Sequence, residues 1–548
     1  MFKIQHEIHS NFSSLENLYQ NYQLDTKQLN ELLPQIEDFK LRVPLIGAFS
    51  AGKSTLINTL IETKLLSTAI KPESNLATEI SFHDQEDIRI AGYIDDIWIR
   101  DLNKAELKAQ EFEGLYPDGH IRVVLNHPFL NRIPHLCLAD LPGLESKSEA
   151  HMQAIHNYIG RSLGYIIVVS SDEGTLKSSI KKFLQELALH KAPVVIVINK
   201  SDKRLPEDID AIKKQVNEEV KKLLKSDNYF EVVSASRNQE NVELKQVLYH
   251  LEKLSEQRFK DTIMVKFNHH IDNLYTHLTI LLNQDNLDEE KLQQKIQQLK
   301  QEHQQITAKL SQEKQVIQQQ LPRVLDQVLQ HVKNRLNGES DQYARLLIAQ
   351  QSLEHEVNYS VRMAVTEALE QYYQPVIEKY IHRVENELPK LSINDTFHFE
   401  QELESNEFLT VGLTSLMSLL PIIFKVVPWG ALVVPILGAL LKAFMNKAEK
   451  EQQREQQRQQ AVDAVQSQVI PQILEQVRLS IKTVLDQQFQ HVSEQVEQQI
   501  KDKVEHLDHA LVKLMQDLQQ NQQQRLVQIE QYRKDLNWLQ TLKQKLAA

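Results

Sequence analysis

The sequence predicts an α/β P-loop domain followed by a long, mainly α-helical stalk with a hydrophobic tip. Three observations predict it. Between residues 41 and 255, short apolar runs at 136–139, 165–169, 194–198 and 232–233 alternate with polar amphipathic stretches, the texture of strands joined by crossover helices. Beyond 255 that texture gives way to apolar residues at steps of three and four. Finally, the chain of 548 residues holds only 13 glycines and 16 prolines, against about 40 glycines at a usage of ~7 %, so turn punctuation is scarce and long helices follow.

Taken in order, residues 1–40 read as an amphipathic helical segment packing on a neck, with Leu15, Leu18, Leu29, Leu32, Leu33 and Ile36 at approximate helical spacing. Residues 41–255 form the α/β domain, opened by a strand over 42–46. Residues 256–405 form the first arm of the stalk. There Leu292, Ile296, Leu299, Ile306, Leu310 and Ile317 make a heptad-like seam, and its regularity favours helix over a disordered Gln-rich tract. Residues 406–446 form the apolar tip, and 447–548 the returning arm. The stripe through Ile473, Val477, Ile481, Leu485, Phe489, Val492 and Val496 lets that arm pack antiparallel on the first.

Composition excludes several functions. A net charge of -12, from 62 basic and 74 acidic residues, comes without a Lys/Arg block, so no nucleic-acid partner is expected. With Cys137 as the one cysteine, neither an intramolecular disulfide nor a Cys-based metal site is expected, which suits a reducing cytoplasm. The start, MFKIQHEIHSNF, lacks the apolar core of a signal peptide. Cys137 itself reads as a small buried hydrophobe, and His269, His270 and His277 as an interhelical or solvated face rather than metal ligands.

Gly47, Ala48, Phe49, Ser50, Ala51, Gly52, Lys53 and Ser54 spell G-x-x-x-x-G-K-S after an apolar strand and before a helix-compatible run opening at Thr55. Both contextual tests of a P-loop are met. Its backbone N–H groups face phosphate, Lys53 reaches the β/γ-phosphates and Ser54 ligates Mg²⁺. Asp140-Leu-Pro-Gly143 ends an apolar strand, placing a carboxylate where it holds the metal shell and the Gly143 N–H near a γ-phosphate. Asn199-Lys200-Ser-Asp202 also ends an apolar strand. Asp202 can accept from the N1–H and 2-amino donors of guanine, whereas adenine offers no donor there, so this motif selects GTP over ATP. Ser234 and Ala235, after 232–233, either supply a backbone N–H to guanine O6 or form a plain strand-end turn.

These motifs resemble the dynamin superfamily, especially bacterial dynamin-like proteins, through G-x-F-S-A-G-K-S at Gly47 to Ser54, DLPG at Asp140 to Gly143 and NKSD at Asn199 to Asp202. The resemblance implies a large GTPase that hydrolyses GTP with Mg²⁺. It also implies that Ser50 helps place a charge-compensating monovalent cation, and that a first-switch hydroxyl joins Ser54 and Asp140 near the metal and orients the attacking water. Gap-free counting puts that hydroxyl on Ser74, where the family has threonine; Thr78 is the alternative if the loop carries an insertion. No glutamine follows Gly143, where Leu144 and Glu145 stand, so hydrolysis is expected to depend on switch ordering completed by pairing of two G domains.

Residues 408–424 carry no charge, and neither do 426–441 after Lys425. Each half is shorter than the ~20 residues of a spanning helix, and Pro421, Pro428, Pro435, Gly430 and Gly438 interrupt them. A hairpin dipping into one leaflet is expected, with Leu420, Ile423, Trp429, Leu432, Val434 and Leu437 at the membrane tip. Expected partners are a second copy of the chain, a lipid surface on the cytoplasmic face, and a partner GTPase or helical protein. The alternative is a soluble scaffolding GTPase whose tip packs in protein.

Overall fold

A computed structural model describes residues 2–48, 50–68, 76–84, 88–94, 96–109, 112–115, 119–144, 162, 164–188, 193–224, 230–282, 289–349, 351, 353–387, 451–518 and 522–547. The tip with Leu420, Ile423, Trp429, Leu432, Val434 and Leu437 lies outside the described residues, as do Phe49 and Ser74.

Nine described strands build one mixed sheet: β1 (Leu41–Gly47), β2 (Ala77–Phe82), β3 (Arg89–Ile94), β4 (Ile97–Leu102), β5 (Gly119–Leu125), β6 (Leu136–Asp140), β7 (Tyr165–Ser170), β8 (Val194–Asn199) and β9 (Phe230–Ser234), in the order β4-β3-β5-β2-β6-β1-β7-β8-β9. β6, β1, β7, β8 and β9 run parallel. The central strands β1, β7 and β8 are apolar almost throughout because both faces are covered. Alternate residues sort to the two faces: Val43, Leu45, Ile166 and Val168 join one core with Leu56 and Leu248, whereas Ile46, Tyr165, Ile167 and Val169 join the other with Phe183 and Val216. β1 lies between β6 and β7, so the loop leaving its carboxyl end sits where the strand order reverses, the place where α/β sheets bind ligands.

The helices follow in chain order. The amino-terminal segment forms two, α1 (Lys3–Asn21) and α2 (Lys27–Glu37), rather than one. The chain turns between them at Gln23, in the left-handed region at φ 57°, with the Leu24 N–H donating to the Tyr19 carbonyl. Within the sheet domain lie α3 (Lys53–Leu60), α4 (Lys104–Ala109), α5 (Ser178–Leu187), α6 (Pro206–Leu223) and α7 (Val242–Phe259). The change of texture near residue 255 brings no break: α7 passes through a π-helical turn, Lys260–Met264, into α8 (Val265–Leu282). One helical rod therefore leaves the sheet domain and enters the bundle.

The first arm continues as α9 (Glu289–Gly338), α10 (Ser340–Ile348), α11 (Glu354–Ala368) and α12 (Gln374–Glu387). The returning arm is α13 (Glu451–Ala464), α14 (Ile470–Leu518) and α15 (Gln522–Ala547). α9 lies along both α14 and α11. The whole predicted stripe from Ile473 to Val496 is buried in this core, together with Leu310 and Ile317 of the predicted seam. Among the described residues no helix is long and apolar enough to cross a membrane.

Among the described residues, contacts at two places tie the sheet domain to the helices. His135 stacks on Phe2 with ring centroids 3.5 Å apart, and its Nδ1 and Nε2 lie 2.6 Å from Glu252 and 3.0 Å from Gln5. On the other face, α5 meets α11: Arg362 Nε donates to Glu186 Oε1 at 3.3 Å, the Tyr359 hydroxyl donates to Gln185 at 2.6 Å, and Lys182 pairs with Glu356. His270 and His277 are buried between helices, as is Cys137 within β6, and burial pushes the Cys137 thiol well up.

Candidate nucleotide-binding site

The P-loop is held by close packing at its two glycines. A Cβ on Gly47 would stand 2.3 Å from the Val168 carbonyl oxygen of β7. A Cβ on Gly52 would stand 2.5 Å from Asn199 Nδ2, and Gly52 also takes φ +91°, in the left-handed region that favours glycine. Ser50 sits at φ 65° without that freedom, a local strain of the kind that loops gripping ligands store. Ala48 and Ala51 are buried beneath the turn, and Gly52 caps α3, which opens at Lys53.

Lys53 is 8 % exposed, and its Nζ lies 3.4 Å from both the Gly47 and Ala48 carbonyls. Burial lowers its pKa, and the Asp140 carboxylate works the other way. Ser54 Oγ donates to Asp140 Oδ2 at 2.6 Å. Asp140, 5 % exposed at the end of β6, keeps its other oxygen Oδ1 buried without a hydrogen-bond partner, and burial raises its pKa against the pull of Lys53 and Ser54. A buried carboxylate oxygen left orphaned beside a serine hydroxyl and an ammonium fits a hard divalent cation. Asp140 and Ser54 are the residues that would hold Mg²⁺. Thr55 continues α3, its carbonyl accepting from Thr59. The segment that leaves β6 is anchored where the Leu144 N–H donates to the Gly47 carbonyl at 3.1 Å, which sets Gly143 beside the P-loop. Thr78 is buried in β2, its Cα registered opposite that of Asp140.

The NKSD turn is fastened on three sides. Asn199 Nδ2 donates to the Ala51 and Gly52 carbonyls at 2.9 and 3.3 Å, joining it to the P-loop. Lys200 takes the left-handed conformation, φ 59°, and its carbonyl accepts from Ser171 Oγ at 2.8 Å. Its ammonium lies 3.6 Å from Asp172, which also pairs with Lys203 at 3.1 Å. Those contacts, Lys203 foremost, hold the Asp172 carboxyl below its ordinary value. Asp202 is exposed, with Oδ2 accepting from Asn238 Nδ2 at 2.9 Å.

The backbone donors of the fifth segment are engaged. The Ser234 N–H donates to Glu243, that of Ala235 to the Ile198 carbonyl, and that of Ser236 to Asn241. Ser234 or Ala235 would have to leave those acceptors to serve guanine O6. Ser171, Asp172 and Asn238 were not identified from the sequence: Asn238 is 36 residues from its partner, and the serine and aspartate follow β7 in no recognised motif. Their signal was positional, since each lies just beyond the carboxyl end of a parallel strand next to β8.

A model of the dynamin family matches residues 43–202, which contain all three motifs. An uncharacterized protein in the xynA 3' region of Caldicellulosiruptor sp. (strain Rt8B.4) is 24 % identical over 205 residues, 37 % of this chain and 50 % of that protein. A probable transmembrane GTPase of Arabidopsis thaliana, FZO-like and chloroplastic, is 25 % identical over 189 residues, 34 % of this chain and 18 % of that one. The chain thus spans half the length of one of these relatives and less of the other. Among solved structures, an oligomerised bacterial dynamin pair described in the sensing and tethering of membranes aligns over 99 % of this chain and 82 % of its own at 14 % identity and TM-score 0.39. The LeoA bacterial dynamin GTPase from ETEC aligns over 98 % and 97 % at 14 % identity and TM-score 0.30.

Proposed function

We propose that this chain, whose residues 43–202 match a model of the dynamin family, is a dynamin-like GTPase that couples GTP hydrolysis and G-domain pairing to work at a membrane surface. The observation that carries the catalytic half is the buried set Lys53, Ser54 and Asp140 with its orphaned Oδ1, a site prepared for a metal-bound triphosphate. Mg²⁺ supplies charge neutralisation between the β- and γ-phosphates when bound. Lys53 places a fixed cation on the transferring phosphoryl group, and Asn199 holds the P-loop through two carbonyls.

We assign the water-orienting role to Ser74. The burial of Thr78 within β2 supports that choice, since a strand residue is not free to close over the γ-phosphate. Ser50 would help place a charge-compensating monovalent cation, and two G domains pair across their nucleotides to order the switches. Residues 406–446, uncharged over 408–424 and 426–441, form the lipid-facing tip on the cytoplasmic face, between arms 256–405 and 447–548. What supports this half is the sequence: two uncharged stretches broken by prolines suit a hairpin in one leaflet.

Lys53→Ala tests the site. Turnover is expected to fall by ~10² or more; turnover near that of the unmodified protein would remove Lys53 from the reaction. Leu432→Asp with Leu437→Asp tests the tip, because a charge at mid-bilayer depth costs ~3 kcal/mol. Liposome flotation should be lost with basal GTPase activity kept. If the unmodified protein floats with no lipid mixture and the double variant instead loses its oligomer, the tip is a protein interface and the scaffold reading replaces this one.

A further inference from the structure

We propose that Asn238 is a positioning residue for guanine recognition: its side-chain amide holds the Asp202 carboxylate in the orientation that receives both donors of the base, and thereby sets discrimination against bases lacking the 2-amino group. The inference rests on the reading of this site as a GTP site.

Asp202 stands exposed on the short turn Ser201–Lys203. An exposed carboxylate rotates freely about its last torsion, and freezing it on binding costs conformational entropy. Here it is already held, because Asn238 Nδ2 donates to Oδ2 at 2.9 Å. Asn238 is itself on a closed loop. Its N–H donates to Ser236 Oγ at 3.2 Å, the Ser236 N–H donates to Asn241 Oδ1 at 2.8 Å, and Asn241 Nδ2 donates back to the Ser236 carbonyl at 2.9 Å. Ser236 is fully buried and Asn241 nearly so, the latter in the left-handed region at φ 52°. The same loop reaches the NKSD turn through the Ser201 N–H, which donates to the Ala235 carbonyl at 3.1 Å. Since the Ser234, Ala235 and Ser236 N–H groups already have acceptors, what this loop contributes to Asp202 is the Asn238 amide.

A carboxylate offers about four lone-pair sites. Asn238 takes one, which leaves enough for the N1–H and the 2-amino group and fixes the plane in which they are offered. A freely turning carboxylate can still meet the single N1–H of hypoxanthine in many orientations. Two parallel hydrogen bonds to guanine need one orientation. Loss of the Asn238 amide therefore weakens guanine more than hypoxanthine.

The test uses the full chain with Mg²⁺, titrated with GDP, IDP and ADP, together with its melting temperature. Asn238→Ala is expected to weaken GDP about tenfold, the scale of one hydrogen bond to a charged group, and IDP by clearly less, so that the GDP/IDP preference narrows at unchanged melting temperature. Asn238→Ser, which keeps a donor, should recover part of that preference, and Asn238→Asp should weaken GDP further by like-charge repulsion. Equal losses for GDP and IDP with a lowered melting temperature would make Asn238 a brace of its own loop and overturn the proposal, as would unchanged affinities. If the unmodified protein binds ADP as tightly as GDP, the GTP reading of the site itself fails; if it prefers GDP strongly while the Asn238 variants are flat, this inference alone fails.

Discussion

At single residues, the site is a set of small exclusions and compensations. Gly52 leaves room for Asn199 to reach the P-loop carbonyls, so Gly52→Ala brings both a 2.5 Å clash and a backbone at φ +91° that alanine resists. GDP affinity is expected to fall at least tenfold with the circular dichroism spectrum preserved; retained affinity would show that the loop relaxes around the methyl. Glu79 is a second compensated residue, accepting from Arg42 at 2.8 Å and Arg122 at 3.0 Å across the sheet. Burial alone would raise its carboxyl, but Arg42, His120 and Arg122 outweigh it and bring the pKa from 4.5 to about 2. A depressed carboxyl gives stability that is present above its unfolded value and lost as pH falls from there to the folded value. That loss falls between roughly pH 4.5 and 2. His120, lowered by burial to about 4, adds loss in the same direction below 6.5. Urea unfolding should show Glu79→Gln to be less stable at pH 7 and flatter toward acid; an unchanged acid slope would remove Glu79 as its source.

Elements are joined by ion pairs that sit where helices meet. α5, from the sheet domain, docks on α11 of the first arm through Glu186 and Arg362, whose side chains are 5 % and 10 % exposed. Burial raises the Glu186 carboxyl, and Arg362 opposes it. Removing one partner of so buried a pair leaves an uncompensated charge, a loss of ~3–5 kcal/mol, whereas replacing both by apolar groups is often neutral. Arg362→Ala should therefore lower the melting temperature, and Glu186→Leu with Arg362→Leu should restore most of it. Equal losses from the single and double variants would show that packing, not charge, makes the joint.

Across the whole molecule, the helices that gather beneath the sheet domain bury histidines from separate stretches of chain. Burial pushes His270 and His277 down to about 4 and His506 to about 3. Tyr19, Asp25, Asn273, Asp502, Glu505 and His509 line the same cavity as His270 and His506, with His269 adjacent along α8. A histidine whose folded pKa is lowered takes up its proton in the unfolded chain first, so stability falls as pH drops from about 6.5 toward 4. Helical melting followed by far-UV circular dichroism should show that fall, and His277→Asn should reduce its pH dependence; identical pH dependence in the variant would exclude His277.

The nucleotide motifs were legible as motifs because each is one contiguous strand end and turn, so that its residue spacing is a local property of the chain. The returning arm was legible because the stripe from Ile473 to Val496 repeats over many turns; of the first arm's seam, Leu292, Ile296, Leu299 and Ile306 have side chains outside the described residues. The strands β2 to β5 were not, since short strands with mixed polar faces carry no period that stands out, and neither was the helix running unbroken past residue 255. The sequence alone determined that this chain has a P-loop, a guanine-type motif and long helical arms, since those follow from local order. Only the tertiary structure decided that Asn238 meets Asp202, that Asn199 braces the P-loop and that Arg362 meets Glu186 across 176 residues, because contacts between distant segments are set by how the layers pack and leave no periodic mark in the chain.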